Sequence, residues 1–318
     1  MANILLLGAG FSKNWGGLLA REFVEELIAD PQLRDDKNMR DLLFAHQNNF
    51  EKALEVLQLA NAKEPKANGE PLKRLEDAIN RLFGKMNGIL ENQQFYLLDA
   101  NGHLDGATRP ELFLTQFRQL FTLNQDLLLE YNYLDDQRYL NGVWNSVGLP
   151  GLVPVTKKVG NKTFSSPTFA PGGSLDVPST MQPYYKLHGS VNWSGNGMMI
   201  MGTGKVAAIQ GNDLLAAYHK EFATSLQTAN TRMTIIGYGF ADDHINEAIE
   251  VAVRNHGLKF FVVDPRGTAI ATDARPGDKN FEEWFKHGLR SVSKLDIRYL
   301  LRDDSMDRQR LRDFLAGK

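Results

Sequence analysis

At 318 residues the chain can bury a full-sized core, and a formal charge of −2 excludes a global field that would gather nucleic acid or an anionic membrane surface. The absence of cysteine excludes disulfides, thiolate nucleophiles and every cysteine-based zinc site. No run approaches the ~20 apolar residues of a membrane span, and the apolar run at 4–7 is too short for a secretory h-region, so a cytoplasmic protein is expected.

In chain order, "NILLLG" reads as a strand buried on both faces and ending in glycine. Leu18, Leu19, Phe23, Val24, Leu27 and Ile28 then recur at helical spacing, and Pro31 ends the helix. Two long helical patterns follow, separated by the breaker "KEPKANGEP", and define an α-helical insertion over 39–108. "ELFLTQFRQL" predicts a helix and "FTLNQD" a short strand. Residues 147–183, rich in Gly, Pro and Ser, form a long loop excursion with a hairpin at "VPVTKKVGNKTF". Strict alternation then returns. "YYKLHG", "MTIIGYG", "KFFVVDP" and "IRYLL" read as strands between helices, with an aspartate capping "DDHINEAIEVAVRNHG". Strands alternating with helices imply right-handed crossovers, hence an α/β, Rossmann-like doubly wound, mostly parallel sheet.

Ligands in such a sheet bind at the carboxyl ends of the strands. Gly8 and Gly10 would let the backbone approach a pyrophosphate at a helix N-terminus. Two departures argue against hydride transfer: Lys13 stands where G-x-G-x-x-G needs its third glycine, and Asp30 has no strand before it. "GTGK" at 202–205 lacks the rest of a P-loop. A strand-to-helix turn that simply needs glycine is the alternative. Asn124, Asp126, His188, Gly237, Tyr238, Gly239 and Asp264 fall at the other strand ends. Each has a plainer reading: a helix cap for Asn124 or Asp126, a core histidine, a turn at Asp264–Pro265. Several strand ends carrying an amide, a carboxylate and an imidazole make a constellation.

The ordered set "GAGFS", "TLNQD", "KLHGS" and "IIGYGFADDHIN" resembles the sirtuin-like family, in particular its prokaryotic branch of NAD-cleaving defence proteins. The resemblance implies one domain over 1–318 that binds NAD through Gly8, Ala9, Gly10, Phe11, Ser12, Gly189, Gly237, Tyr238 and Asp264. It implies Asn124, His188 and Asp126 as catalytic residues. His188 would be the general base, with an ordinary value near 6.5 suited to the task. Ser12 and the loop amides would hold phosphate, and Asp264 would accept from the adenosine ribose. NAD would be substrate rather than retained cofactor, and no metal is expected. Deacylase sirtuins build a four-cysteine zinc module and carry G-I-P-D-F-R after the glycine motif. Here there is no cysteine, and "GGLLAREF" stands in that place. Cleavage of NAD to nicotinamide and ADP-ribose therefore fits better than deacylation. Non-catalytic binding of NAD or an ADP-ribose derivative and ADP-ribosyl transfer are the alternatives. Control by homo-oligomerisation, or by an Argonaute-like, helicase-like or other sensor partner, is expected of such an enzyme.

Overall fold

Residues 2–47, 49–93, 110–134, 143–159, 162–194, 201–202, 204–272, 280–302 and 305–318 are described by the computed structural model. The apolar run opening the chain is β1 (Ala2–Leu7), whose residues 4–7 are fully buried, as a strand covered on both faces must be. Helices α1 (Ala9–Lys13), α2 (Ala20–Ala29), α3 (Lys37–Ala45), α4 (Phe50–Lys63) and α5 (Pro65–Glu91) follow. Next come α6 (Pro110–Leu114), β2 (Gln119–Thr122), a wide π-type turn at Glu130–Leu134 and β3 (Ser146–Gly148). An antiparallel pair, β4 (Leu152–Val159) and β5 (Lys162–Pro171), forms a sheet of its own before β6 (Met181–Lys186). The remainder alternates: α7 (Lys205–Gln210), α8 (Asp213–Gln227), β7 (Thr231–Ile236), α9 (Asp243–His256), β8 (Lys259–Val263), α10 (Phe281–Gly288), β9 (Leu289–Ser293), α11 (Ile297–Arg302) and α12 (Met306–Ala316).

The main sheet has seven strands in the order β3-β6-β2-β1-β7-β8-β9, and every pairing is parallel. This is the doubly wound α/β architecture expected from the alternation. After β1 the chain adds β2 beside it, places β3 at the edge, fills the gap between them with β6, and then returns to the other side of β1 as β7. That reversal is a topological switch point, where the connections diverge and leave a crevice beyond the strand ends.

Between β1 and β2 the helices pack as a layer on α2. Phe23 of α2 stacks on Phe50 of α4 at 4.3 Å and tilts against Phe83 of α5 at 5.1 Å. Asn49 caps α4 by accepting from the amides of Glu51 and Lys52. The buried Asp30 carboxylate, 2.8 Å from Arg81, ties the end of α2 to α5. Residues 94–109, the last part of the helical insertion read from the sequence, lie outside the described residues.

Three local expectations are corrected. "KEPKANGEP" breaks the helices at Glu64 alone, not along its length: α5 starts at Pro65 and runs through Gly69 and Pro71. Proline at the first position gives up only an amide that the helix leaves unpaired anyway. Pro71 forfeits one hydrogen bond, which the stripe Leu75, Ile79, Leu82, Phe83, Met86 and Leu90 outweighs by burial. "IRYLL" is a helix, not a strand. Ile297, Leu300 and Leu301 are buried at helical spacing, and the last strand is the preceding "LRSVS". Finally, α6 ends at Leu114, and Gln119 and Leu120 of the predicted helix belong to β2.

Candidate active site

The glycine turn is explained first by packing. Gly237 has φ +64°, a left-handed conformation that favours glycine, and it lies against Gly10. A Cβ on Gly10 would stand 2.6 Å from the Gly237 Cα, and one on Gly8 would stand 2.5 Å from the Gly237 carbonyl oxygen. Two backbones therefore touch where β1 and β7 end. The Gly8 amide donates to the Ile236 carbonyl and the Gly10 amide to the Gly237 carbonyl; Phe11 N–H bonds back to Gly8. These three amides are thus engaged inside the fold, which corrects the expectation that they hold phosphate. Ser12, also expected to hold phosphate, is buried and accepts from Asn124.

Beside this turn opens a cavity of about 1170 Å³, lined by residues from the ends of β1, β2, β6, β7 and β8 and by α2, α4 and α7. Gly8, Ala9, Gly10, Asn124, Asp126, His188, Gly237, Tyr238 and Asp264 all border it. Phe11 and Gly189 do not: Phe11 is core, packed on Trp15, and Gly189 makes a positive-φ turn behind His188.

The strand ends are held by their own sequence. Thr122 Oγ1 donates to the Leu7 carbonyl and accepts from the Asn124 amide, so the T-x-N spacing aims Asn124 back at the glycine turn. Asn124 Nδ2 donates to the Gly8 carbonyl at 3.0 Å and to Ser12 Oγ at 2.9 Å. With the amide nitrogen committed to protein acceptors, Oδ1 is the end of the carboxamide left for a ligand. Asp126 is buried, and Oδ1 accepts from the Leu128 amide, so the plainer capping role is present there. Beneath it the buried Lys186 Nζ donates to the Asp126 carbonyl at 2.5 Å and to Glu130 Oε1 at 2.6 Å. Asp264 is engaged too. Its two oxygens meet Arg266 Nε and Nη2 at 3.0 Å each, a fork the sequence reading did not contain. The Tyr238 hydroxyl bonds Asn246 Oδ1 at 3.0 Å and fixes the loop before α9.

His188 is 3% exposed. Its Nε2 lies 3.2 Å from His244 Nε2 and 4.0 Å from Asp242 Oδ1. Asp242 precedes α9 but does not cap it with its side chain, as the sequence suggested; the carboxylate turns to Lys205 Nζ at 3.0 Å. Lys205 also meets Glu51 of α4 at 2.5 Å, so an ion pair joins the helical layer to the His188 network. His219 Nε2 lies 2.8 Å from the Leu187 carbonyl and steadies the backbone entering His188.

Electrostatics follow from this burial. Desolvation pushes the His188 imidazole down to about 3, far below the ordinary value assumed from sequence, and His219 down to about 4; His244 is lowered by the same cause. Burial opposes ionisation of Asp242, but His188 and Lys205 hold its carboxyl down to about 2. At neutral pH His188 is uncharged, so Lys205 is the standing cation. His188 is therefore an unprotonated base.

The unfolded chain takes up protons on these histidines near 6.5, whereas the folded chain does so only near 3 and 4. Their contribution is complete above 6.5 and is lost as pH falls toward those values, at up to about 1.4 kcal/mol per pH unit for each group. Asp242 adds its own loss only below its unfolded value of 3.8. Thermal melts from pH 7 to 5 should show a steep fall that His188→Gln flattens. Equal slopes for variant and parent would contradict a buried neutral His188.

Lys205, Asp242 and His244 were missed as site residues. The available signal was position: His244 lies in the first turn of α9, directly after the β7 end, at the rim where such sheets bind ligands. Among the described residues no group of three or more His, Cys, Asp or Glu could hold a metal ion, and no helix is long and apolar enough to cross a membrane.

The sequence matches the SIR2-like domain family over residues 118–292, more than half the chain and a span that includes Asn124, His188, His244 and Asp264. The glycine turn precedes the match. No curated protein matches the chain. Family, parallel sheet and strand-end cavity agree: the chain belongs to the SIR2-like family, whose domains are in general NAD-dependent enzymes.

Proposed function

We propose that this protein is an NAD glycohydrolase of the prokaryotic defence branch, cleaving the nicotinamide–ribose bond to give nicotinamide and ADP-ribose. The observation that carries the reading is the convergence of Asn124 and His188, from different strands, on one cavity beside the glycine turn. Nicotinamide leaves as a neutral molecule, so the reaction needs no general acid. It needs stabilisation of the positive charge growing on the ribose and a base for the incoming water. The oriented Oδ1 of Asn124 suits the first need, at the ribose or the water. Neutral His188 suits the second, and Asp126 adds negative charge at the same rim.

Depletion of NAD is lethal to the cell that carries it out, so the activity must be restrained. We assign that control to self-assembly or to a sensor partner acting through the helical layer, because Glu51 of α4 reaches the His188 network through Lys205. Incubation of the purified protein with NAD, followed by chromatography, should release nicotinamide and ADP-ribose in equal amounts. A modified protein would indicate transfer, and NAD bound but intact would indicate a sensing module. Either result overturns the hydrolytic reading.

A further inference from the structure

Hydrolysis of NAD releases one proton for every bond cut, and the base proposed to collect it sits almost out of reach of solvent. His188 Nδ1 has no partner among the described residues, while Nε2 faces the Nε2 of His244 at 3.2 Å. Two imidazole nitrogens at that distance share one proton, so one ring donates and the other accepts. His244 is the more exposed of the two and borders the cavity. The groups around it are His188 beyond β6, His219 of α8 with its ring 5.3 Å away, Asp242 before α9 and Lys205 of α7, with Glu51 of α4 behind Lys205.

We propose that His244 is a positioning and relay residue, which orients His188 and receives through it the proton of the attacking water. This rests on the hydrolytic reading above. The C1′–N bond breaks with its electron pair passing to the pyridine nitrogen, and the water oxygen bonds to C1′. The water proton goes to His188 Nδ1 while the Nε2 proton of His188 passes to His244 Nε2. His188 ends neutral in its other tautomer, and the charge comes to rest on His244, beside the Asp242 carboxylate and nearer to solvent. Burial, which holds His188 down to about 3, explains why a lone imidazole there would be a poor resting place for the proton.

The test compares the parent with His244→Gln, which keeps a hydrogen-bonding amide but cannot carry the proton. The readouts are kcat and KM for NAD between pH 5 and 9. At pH 7 kcat should fall about tenfold or more, the low end for a lost proton-transfer group, with KM within about twofold. In the parent, kcat falls in acid as His244 becomes protonated; in the variant that limb should move to lower pH. His244→Ala with added imidazole is the second variant, and recovery of kcat with imidazole supports the relay. A parent-like rate and acid limb in His244→Gln, or no recovery of a slowed His244→Ala, overturns the relay alone. A parent that releases no nicotinamide overturns the hydrolytic reading and the relay together.

Discussion

Asn124→Ala and His188→Ala should each lower NAD turnover by about a hundredfold or more, the scale for removing one electrostatic or acid–base group from a transition state. The geometry gives the two losses different signatures. Asn124 is anchored by two donated hydrogen bonds, to the Gly8 carbonyl and to Ser12 Oγ. Its alanine variant therefore loses the oriented Oδ1 and also loosens the glycine turn, so KM should rise while kcat falls. Ser12→Ala removes only one of the two anchors and should have the milder effect. Among the described residues the His188 side chain makes no hydrogen bond to the turn; its bond runs to His244. Its alanine variant should keep KM and lose kcat. If both variants release nicotinamide at the parent's rate, the cavity's amide and imidazole are not the machinery, whatever else the site binds.

What could be read from sequence divides along a physical line. Elements buried on both faces announce themselves, because residues 4–7 or 260–263 have no solvent side to confuse the pattern. The parallel sheet and its strand-end rim followed from that alternation, and so did the placing of Asn124, His188 and Asp264 at strand ends. Elements covered on one side only were less legible. "IRYLL" is five residues long, and its apolar positions fit either period until the packing of Ile297, Leu300 and Leu301 decides. Least legible were pairings between distant segments. Nothing local says that Glu51, Lys205 and Asp242 form one chain of charge, since Lys205 stands 37 residues from Asp242 and far further along the chain from Glu51. Nor could the base's environment be inferred, because desolvation is set by what α7, α8 and α9 place around His188. The glycines were legible as a motif but for an incomplete reason: their first duty is the contact of Gly10 with Gly237.

Lys186→Met should be the most destabilising single change at the floor of this site, by roughly 3–5 kcal/mol, because it leaves the buried Glu130 carboxylate without its cation. Lys186 is fully buried and Glu130 is 5% exposed, so neither can turn to water. Burial already raises the Glu130 carboxyl against the pull of Lys186. With the ammonium gone, Glu130 must take up a proton to stay inside. The loss should therefore be smaller at pH 5 than at pH 8, the opposite sense to the histidine effect. In melting temperature the loss corresponds to about 5–7 °C for a chain of this size. Pairing Lys186→Met with Glu130→Leu removes both charges and should recover most of that loss, since well-packed apolar residues often replace a buried pair at little cost. Activity should not recover with it. Lys186 Nζ also donates to the Asp126 carbonyl, and the Leu127 amide is held by Asn87 of α5, so the loop from Asn124 onward hangs from both. A double variant that regains stability yet still turns over NAD slowly would separate the two duties of this lysine, folding and loop placement. Full recovery of both would reduce it to a buried charge that serves the core alone.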